Sequence, residues 1–269
     1  MKHILNLLLA ACLAGGAAPV AAQSASDYVQ AEILPGWRAA DGSHVAGLRL
    51  TLKDGWKTYW RAPGDAGIPP HFDWRGSRNL SSVHVEWPTP SQIRQGGLTT
   101  IGYDRTVTLP LRIQPRRTGT DIRLTGTIDM GVCKDVCVPV NLSVAQDLGT
   151  DGSGPDPVIV AALAERPYSA AEAGVGPVTC RLSPIEDGLS LRAVIDMPSL
   201  GAGELAIFET GDPNIWVAPS KTRREGERLV AETTLHHVAG GSFAVQRSDL
   251  RITVLGPGSA VDIHGCQAG

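Results

Sequence analysis

Apolar and polar positions alternate with a period of two along most of the chain. Leu48, Leu50 and Leu52 alternate with Arg49, Thr51 and Lys53, and Val107, Leu109, Leu111 and Ile113 alternate with Thr106, Thr108, Pro110 and Arg112. Ile122, Leu124, Ile128 and Met130 fall on one side of a further run with Gly126 between them, and Val138, Val140, Leu142 and Val144 alternate with Pro139, Asn141 and Ser143. Leu189, Leu191 and Ala193 repeat the pattern, as do Phe243 with Val245 and Ile252 with Val254. Alternation of this kind places one set of side chains on the buried face of a strand and the other in water. The 31 glycines and 19 prolines punctuate these runs. Many short strands with frequent turns predict an all-β sandwich or barrel.

The pattern breaks once, at Thr150-Asp151-Gly152-Ser153-Gly154-Pro155-Asp156-Pro157, which has the composition of a linker. A short helix is expected immediately after it, from Val158 to Arg166, with Asp156 as N-cap and Pro157 at the first helical position. Strand patterning then resumes. The division expected is a β domain over 23–149, a linker over 150–157, and a second β domain over 158–269 led by the helix.

The first 22 residues read as an export signal. Lys2 and His3 precede an apolar run from Ile4 to Ala18, and Val20 and Ala22 supply small residues before a cleavage site after Ala22. Leu9-Ala10-Ala11-Cys12 offers an alternative, lipid attachment at Cys12. The run is short for a membrane span, so the mature chain is expected to have no transmembrane segment and to work in the periplasm. The formal net charge of −3 comes with no basic run or stripe. That argues against nucleic acid as a partner.

Of five cysteines, Cys12 lies in the signal segment and Cys133, Cys137, Cys180 and Cys266 remain. An even number in an exported chain points to disulfides, and four cysteines allow three pairings. Cys133 and Cys137 flank Lys134-Asp135-Val136 between two predicted strands. A bond across so small a loop restricts the unfolded chain little. On spacing alone the pair suits redox exchange, a structural staple or metal ligation. Lys134 beside it would lower a thiol pKa, Asp135 would oppose this, and Pro139 removes a backbone donor from the following strand. Cys180 and Cys266 bracket the second domain, so a bond between them would be structural. Ligation of a metal by His264 and Cys266 with His236 and His237 is the rival reading. Trp56 and Trp60 are expected in the core, with Lys57 and Tyr59 on the opposite face of their strand.

Several motifs occur in an order that resembles a known family. Lys53-Asp54-Gly55-Trp56-Lys57-Thr58-Tyr59-Trp60-Arg61-Ala62-Pro63-Gly64-Asp65-Ala66-Gly67-Ile68-Pro69-Pro70, then Gly102-Tyr103, then Leu109-Pro110-Leu111, then Cys133 to Pro139, resemble the N-terminal periplasmic domain of the DsbD thiol–disulfide interchange proteins. Residues 46–148 look closest to the related domain of stand-alone ScsB-like proteins. The resemblance implies an immunoglobulin-like β-sandwich followed by a second, smaller β-sandwich-like domain. It implies electron relay between a thioredoxin-like or DsbD/ScsB-type redox protein and oxidised periplasmic proteins, with Cys137 forming the mixed disulfide and Cys133 resolving it. The activity would be that of a protein-disulfide reductase-type oxidoreductase component, with no cofactor and no metal. The stretch Ser91–Leu98 stands where the family carries an aromatic cap and has no aromatic here. Leu98, Ile93 and Tyr103 are the candidate cover for the sulfurs. The alternatives are a non-catalytic β-sandwich binding module with structural disulfides, or a copper-tolerance protein acting through its thiols.

Overall fold

The structure, a computed structural model, describes residues 27–150 and 154–269. The expected signal segment with Cys12, and part of the expected linker, lie outside the described residues. The first domain consists, in chain order, of β1 (Val29–Arg38), β2 (His44–Leu52), β3 (Lys57–Gly64), β4 (His71–Asp73), β5 (Leu80–Val85), β6 (Ser91–Gln95), β7 (Leu98–Asp104), β8 (Thr106–Pro115), β9 (Ile122–Cys133) and β10 (Cys137–Leu148). One sheet has the order β1-β2-β8-β5. The other has the order β10-β9-β3-β7-β6, with β4 paired to β9. Leu48, Leu50, Leu109 and Leu111 from the first sheet meet Trp60, Ile101, Ile128 and Met130 from the second in one buried core. This is the sandwich expected from the alternation.

The helix α1 (Pro157–Ala164) follows, with Asp156 accepting from the backbone N–H groups of Val158 and Ile159 at 2.8 and 3.2 Å. Ile159 is fully buried beside Gly47 of β2, which docks the helix on the outside of the first sandwich. The helix stops two residues before Arg166, where Pro167 begins the next connection.

The second domain comprises β11 (Tyr168–Ser169), β12 (Val178–Ile185), β13 (Gly188–Asp196), β14 (Leu205–Glu209), β15 (Ile215–Val217), β16 (Lys221–Glu225), β17 (Arg228–His237), β18 (Arg251–Leu255), β19 (Ala260–His264) and β20 (Gln267–Ala268). Its two sheets run β11-β19-β18-β14 and β15-β17-β13-β12-β20, with β16 paired to β17. Phe243 and Val245 pack on this domain's core without forming a strand, contrary to their alternation. They lie in an irregular connection that no neighbouring strand pairs, so side-chain burial alone holds them.

The domains are joined by more than the connecting segment. Leu205, Ile207, Leu255 and Ala260 of the second domain belong to the first domain's apolar cluster. Arg61 Nε of β3 donates to both carboxylate oxygens of Glu209 at 3.0 and 3.1 Å, and Gln92 Nε2 of β6 donates to the Gly203 carbonyl at 2.9 Å. The second domain is thereby held against the sheet that carries Cys133.

Candidate functional site

Strands β9 and β10 form a hairpin that closes at Cys133 and Cys137, which are register partners. The three-residue turn between them is tightened by a bond from Lys134 N–H to the Val136 carbonyl at 3.1 Å. Pairing brings the two Cα atoms to 4.1 Å, and the sulfurs are joined in a disulfide. Their surroundings differ. Cys133 is 1% exposed, whereas Cys137 lies at the exposed end of β10. Cys137 is thus the more accessible residue of the pair.

Tyr59 is the side chain that covers the sulfurs. Its hydroxyl lies 2.7 Å from Cys133 Sγ and 3.3 Å from Cys137 Sγ. A disulfide sulfur carries no proton, so the phenol donates. Burial raises the Tyr59 pKa above its ordinary value, which keeps the hydroxyl protonated and able to donate. The ring is gripped between two glycines. A Cβ on Gly67 would lie 2.5 Å from a Tyr59 ring carbon, and one on Gly131 would lie 3.2 Å from another and 2.9 Å from Ile68. The Pro63–Pro70 segment thus folds over Tyr59, and Gly131 N–H bonds the Ile68 carbonyl at 3.4 Å.

Tyr103 does not cover the disulfide. It is the register partner of Thr58 on β7, so it shares the core face with Trp60, while Tyr59 and Cys133 take the other face. Its hydroxyl donates to the Pro88 carbonyl at 2.7 Å. Leu98 is half exposed beside the Gly96-Gly97 turn and Ile93 is half-buried, and the β6–β7 hairpin reaches the disulfide turn through Gln95 instead. Gln95 Nε2 donates to the Lys134 carbonyl at 2.9 Å, and its Oε1 accepts from Lys57 Nζ at 2.8 Å. Both glycines of that turn have positive φ, as a two-residue hairpin turn requires.

Lys134 is exposed, and its chain lies over Gly55 with Nζ 3.5 Å from the Asp54 carbonyl. Asp135 is also exposed. Pro139 sits on β10, the edge strand of its sheet, where a missing N–H costs no ladder bond. Cys180 and Cys266 form a second disulfide at a sequence separation of 86, with Cys180 fully buried in the second domain's core. His264 Nε2 lies 3.2 Å from Asp262, and Cys266 is committed to its bond with Cys180. Lys57, Tyr59 and Gln95 are residues of this site that sequence reasoning does not single out. The signal for two of them is the alternation in Trp56–Trp60, which places Lys57 and Tyr59 together on the face away from the core.

These features define a two-domain β-sandwich protein with a solvent-reachable disulfide at a hairpin turn. Residues 30–147, which make up the first domain, match the family described as thiol:disulfide interchange protein DsbD, N-terminal. The match begins before residue 46 and includes β1, where a register shift between Leu34 and Trp37 breaks the alternation. A crystal structure of the N-terminal periplasmic domain of ScsB from Proteus mirabilis has a similar fold, with a TM-score of 0.62 at 20% identity over 90% of this chain and 92% of that one. The likeness therefore extends across both domains. Comparison with curated protein sequences gives no match.

Proposed function

We propose that this chain is a periplasmic thiol–disulfide exchange protein that relays electrons through Cys133 and Cys137 between a thioredoxin-like redox protein and oxidised periplasmic proteins. The observation that carries the reading is the asymmetry of the pair: Cys137 is exposed and Cys133 is buried under Tyr59. A thiolate from the donor attacks Cys137 Sγ. The bond between the two cysteine sulfurs breaks, its electron pair stays on Cys133, and a mixed disulfide joins donor and Cys137. A second donor thiol then attacks its own sulfur in that mixed disulfide. The donor leaves as a disulfide and this chain gains two electrons and, after protonation, two protons. The reverse sequence passes the electrons to an oxidised protein.

The family match over the first domain and the ScsB-like fold support this reading, and so does a small turn that gains little stability from its own disulfide. The test is a trapping experiment. Oxidised protein is mixed with a reduced thioredoxin that lacks its second cysteine. A covalent complex that maps to Cys137 by mass spectrometry is expected. Absence of a complex, or one mapping to Cys133, overturns the reading.

A further inference from the structure

Lys57 is a buried cation with no carboxylate partner, placed beside the sulfur that receives the electron pair. It is the cross-strand partner of Cys133, so both side chains leave the same face of the sheet. In such a pair the Cβ atoms lie about 5 Å apart. The residue is 9% exposed, and Nζ donates to Gln95 Oε1 at 2.8 Å and more weakly to Thr100 Oγ1 at 3.5 Å. Both acceptors are neutral. Asp104, its register partner on β7, has an exposed side chain and its nearest cation is Arg105, at 3.9 Å. Among the described residues Lys57 forms no ion pair with a carboxylate.

A buried ammonium without a counter-ion is costly, and burial lowers the Lys57 pKa. Such a cost is offset when an anion forms nearby. Opening the disulfide by attack at Cys137 creates one, because the electron pair of the broken bond goes to Cys133. The other charged groups near the turn are poorly placed for this task. Lys134 Nζ is held over Gly55 near the Asp54 carbonyl, and Asp135 is exposed at the turn. Tyr59 contributes a hydrogen bond to the same sulfur but no charge.

We propose that Lys57 is the counter-ion of the Cys133 thiolate in the reduced protein, positioned by Gln95 and acting alongside the Tyr59 hydroxyl to make Cys133 the better leaving group. The inference rests on the exchange reading for its purpose, but the quantity it fixes belongs to the isolated chain. A lower thiol pKa makes the departing sulfur leave faster, so the cation favours attack at Cys137. Lys57 thus adds a chemical bias to the steric one.

The test uses the chain with Cys12→Ser and Cys137→Ala, which leaves Cys133 as the one free thiol with the Cys180–Cys266 bond intact. Thiolate absorbance near 240 nm, followed against pH, gives the Cys133 pKa directly. With Lys57 present the midpoint is expected below the ordinary thiol value of about 8.5. Lys57→Met is expected to raise it by about one unit, a tenfold loss of thiolate near neutral pH, and Lys57→Arg to restore most of the effect. An unchanged midpoint in a folded Lys57→Met protein overturns the proposal. If that variant does not fold, Lys57→Gln, which keeps a donor for Gln95, is judged by the same criterion. The exchange reading fails separately, through absence of the trapped complex, whatever the titration shows.

Discussion

The hydroxyl of Tyr59 donates to the sulfur of Cys133 across 2.7 Å, from a ring held between Gly67 and Gly131. Hydrogen bonds to charged groups contribute about 1.5–3 kcal/mol, and this one strengthens as negative charge develops on the sulfur. Tyr59→Phe is therefore expected to slow reduction of the 133–137 bond by about tenfold at neutral pH, with little loss of stability. Stopped-flow reduction by excess small thiol measures the rate, and thermal melting checks the fold. An unchanged rate would show that the contact has no chemical consequence.

The glycines that grip the ring make a second prediction. A methyl group at Gly67 would strike both the Tyr59 ring and Pro63, at 2.5 and 2.7 Å. Overpacking of this kind costs about 1–3 kcal/mol. Gly67→Ala should lower the urea midpoint and also reproduce part of the Tyr59→Phe rate defect, because the ring must shift. A stability loss without a rate change would separate the grip from the chemistry.

The two disulfides should respond oppositely to mild reductant. The 133–137 bond has an exposed sulfur and spans a separation of four, whereas the 180–266 bond has one sulfur in the second core and spans 86. Reduction followed by alkylation and peptide mass analysis is expected to label Cys133 and Cys137 and spare the other pair. Replacing Cys180 and Cys266 together should cost about 4 kcal/mol, the loop-closure entropy for a loop of that size. Replacing Cys133 and Cys137 should cost much less.

Gln95 ties the β6–β7 hairpin to the disulfide turn through the Lys134 carbonyl and the Lys57 ammonium. Gln95→Ala removes both bonds. Hydrogen–deuterium exchange is expected to rise in the hairpin and at residues 134–136, with the second domain unchanged. Protection that stays the same in the hairpin would mean other contacts hold it.

His44 gives the first domain a defined pH response. Its Nε2 lies 2.6 Å from the Pro35 carbonyl and so carries the proton, while the buried Nδ1 has no partner. Burial lowers its pKa, the Pro35 bond opposes this, and nearby Arg38 adds to the lowering. The folded state therefore prefers the neutral ring. The stability this confers is full above the unfolded value of about 6.5 and is lost as pH falls below it through the folded pKa. Urea midpoints between pH 7.5 and 5 should decline, and a His44→Gln protein should show a flatter profile.

The period-two pattern was sufficient to predict an all-β chain, its core strands and the Asp156-capped helix, because burial on one face of a strand leaves a regular trace in residue type. Ordered motifs from Lys53 to Pro139 located the family and the cysteine pair. Alternation failed for Phe243 and Val245, where side chains are buried without a partner strand. It also could not rank Tyr59 against Tyr103 as the residue on the sulfurs. Both are tyrosines in neighbouring strands, and only the register, Thr58 against Tyr103 and Lys57 against Cys133, sends one to the core and the other to the disulfide. The unequal exposure of the two cysteines, the lysine without a counter-ion and the docking of the second domain on the sheet that carries Cys133 likewise depend on contacts between residues far apart in sequence. Local patterning specifies which face a side chain takes; which neighbour waits there is decided when the strands pair and the sheets pack.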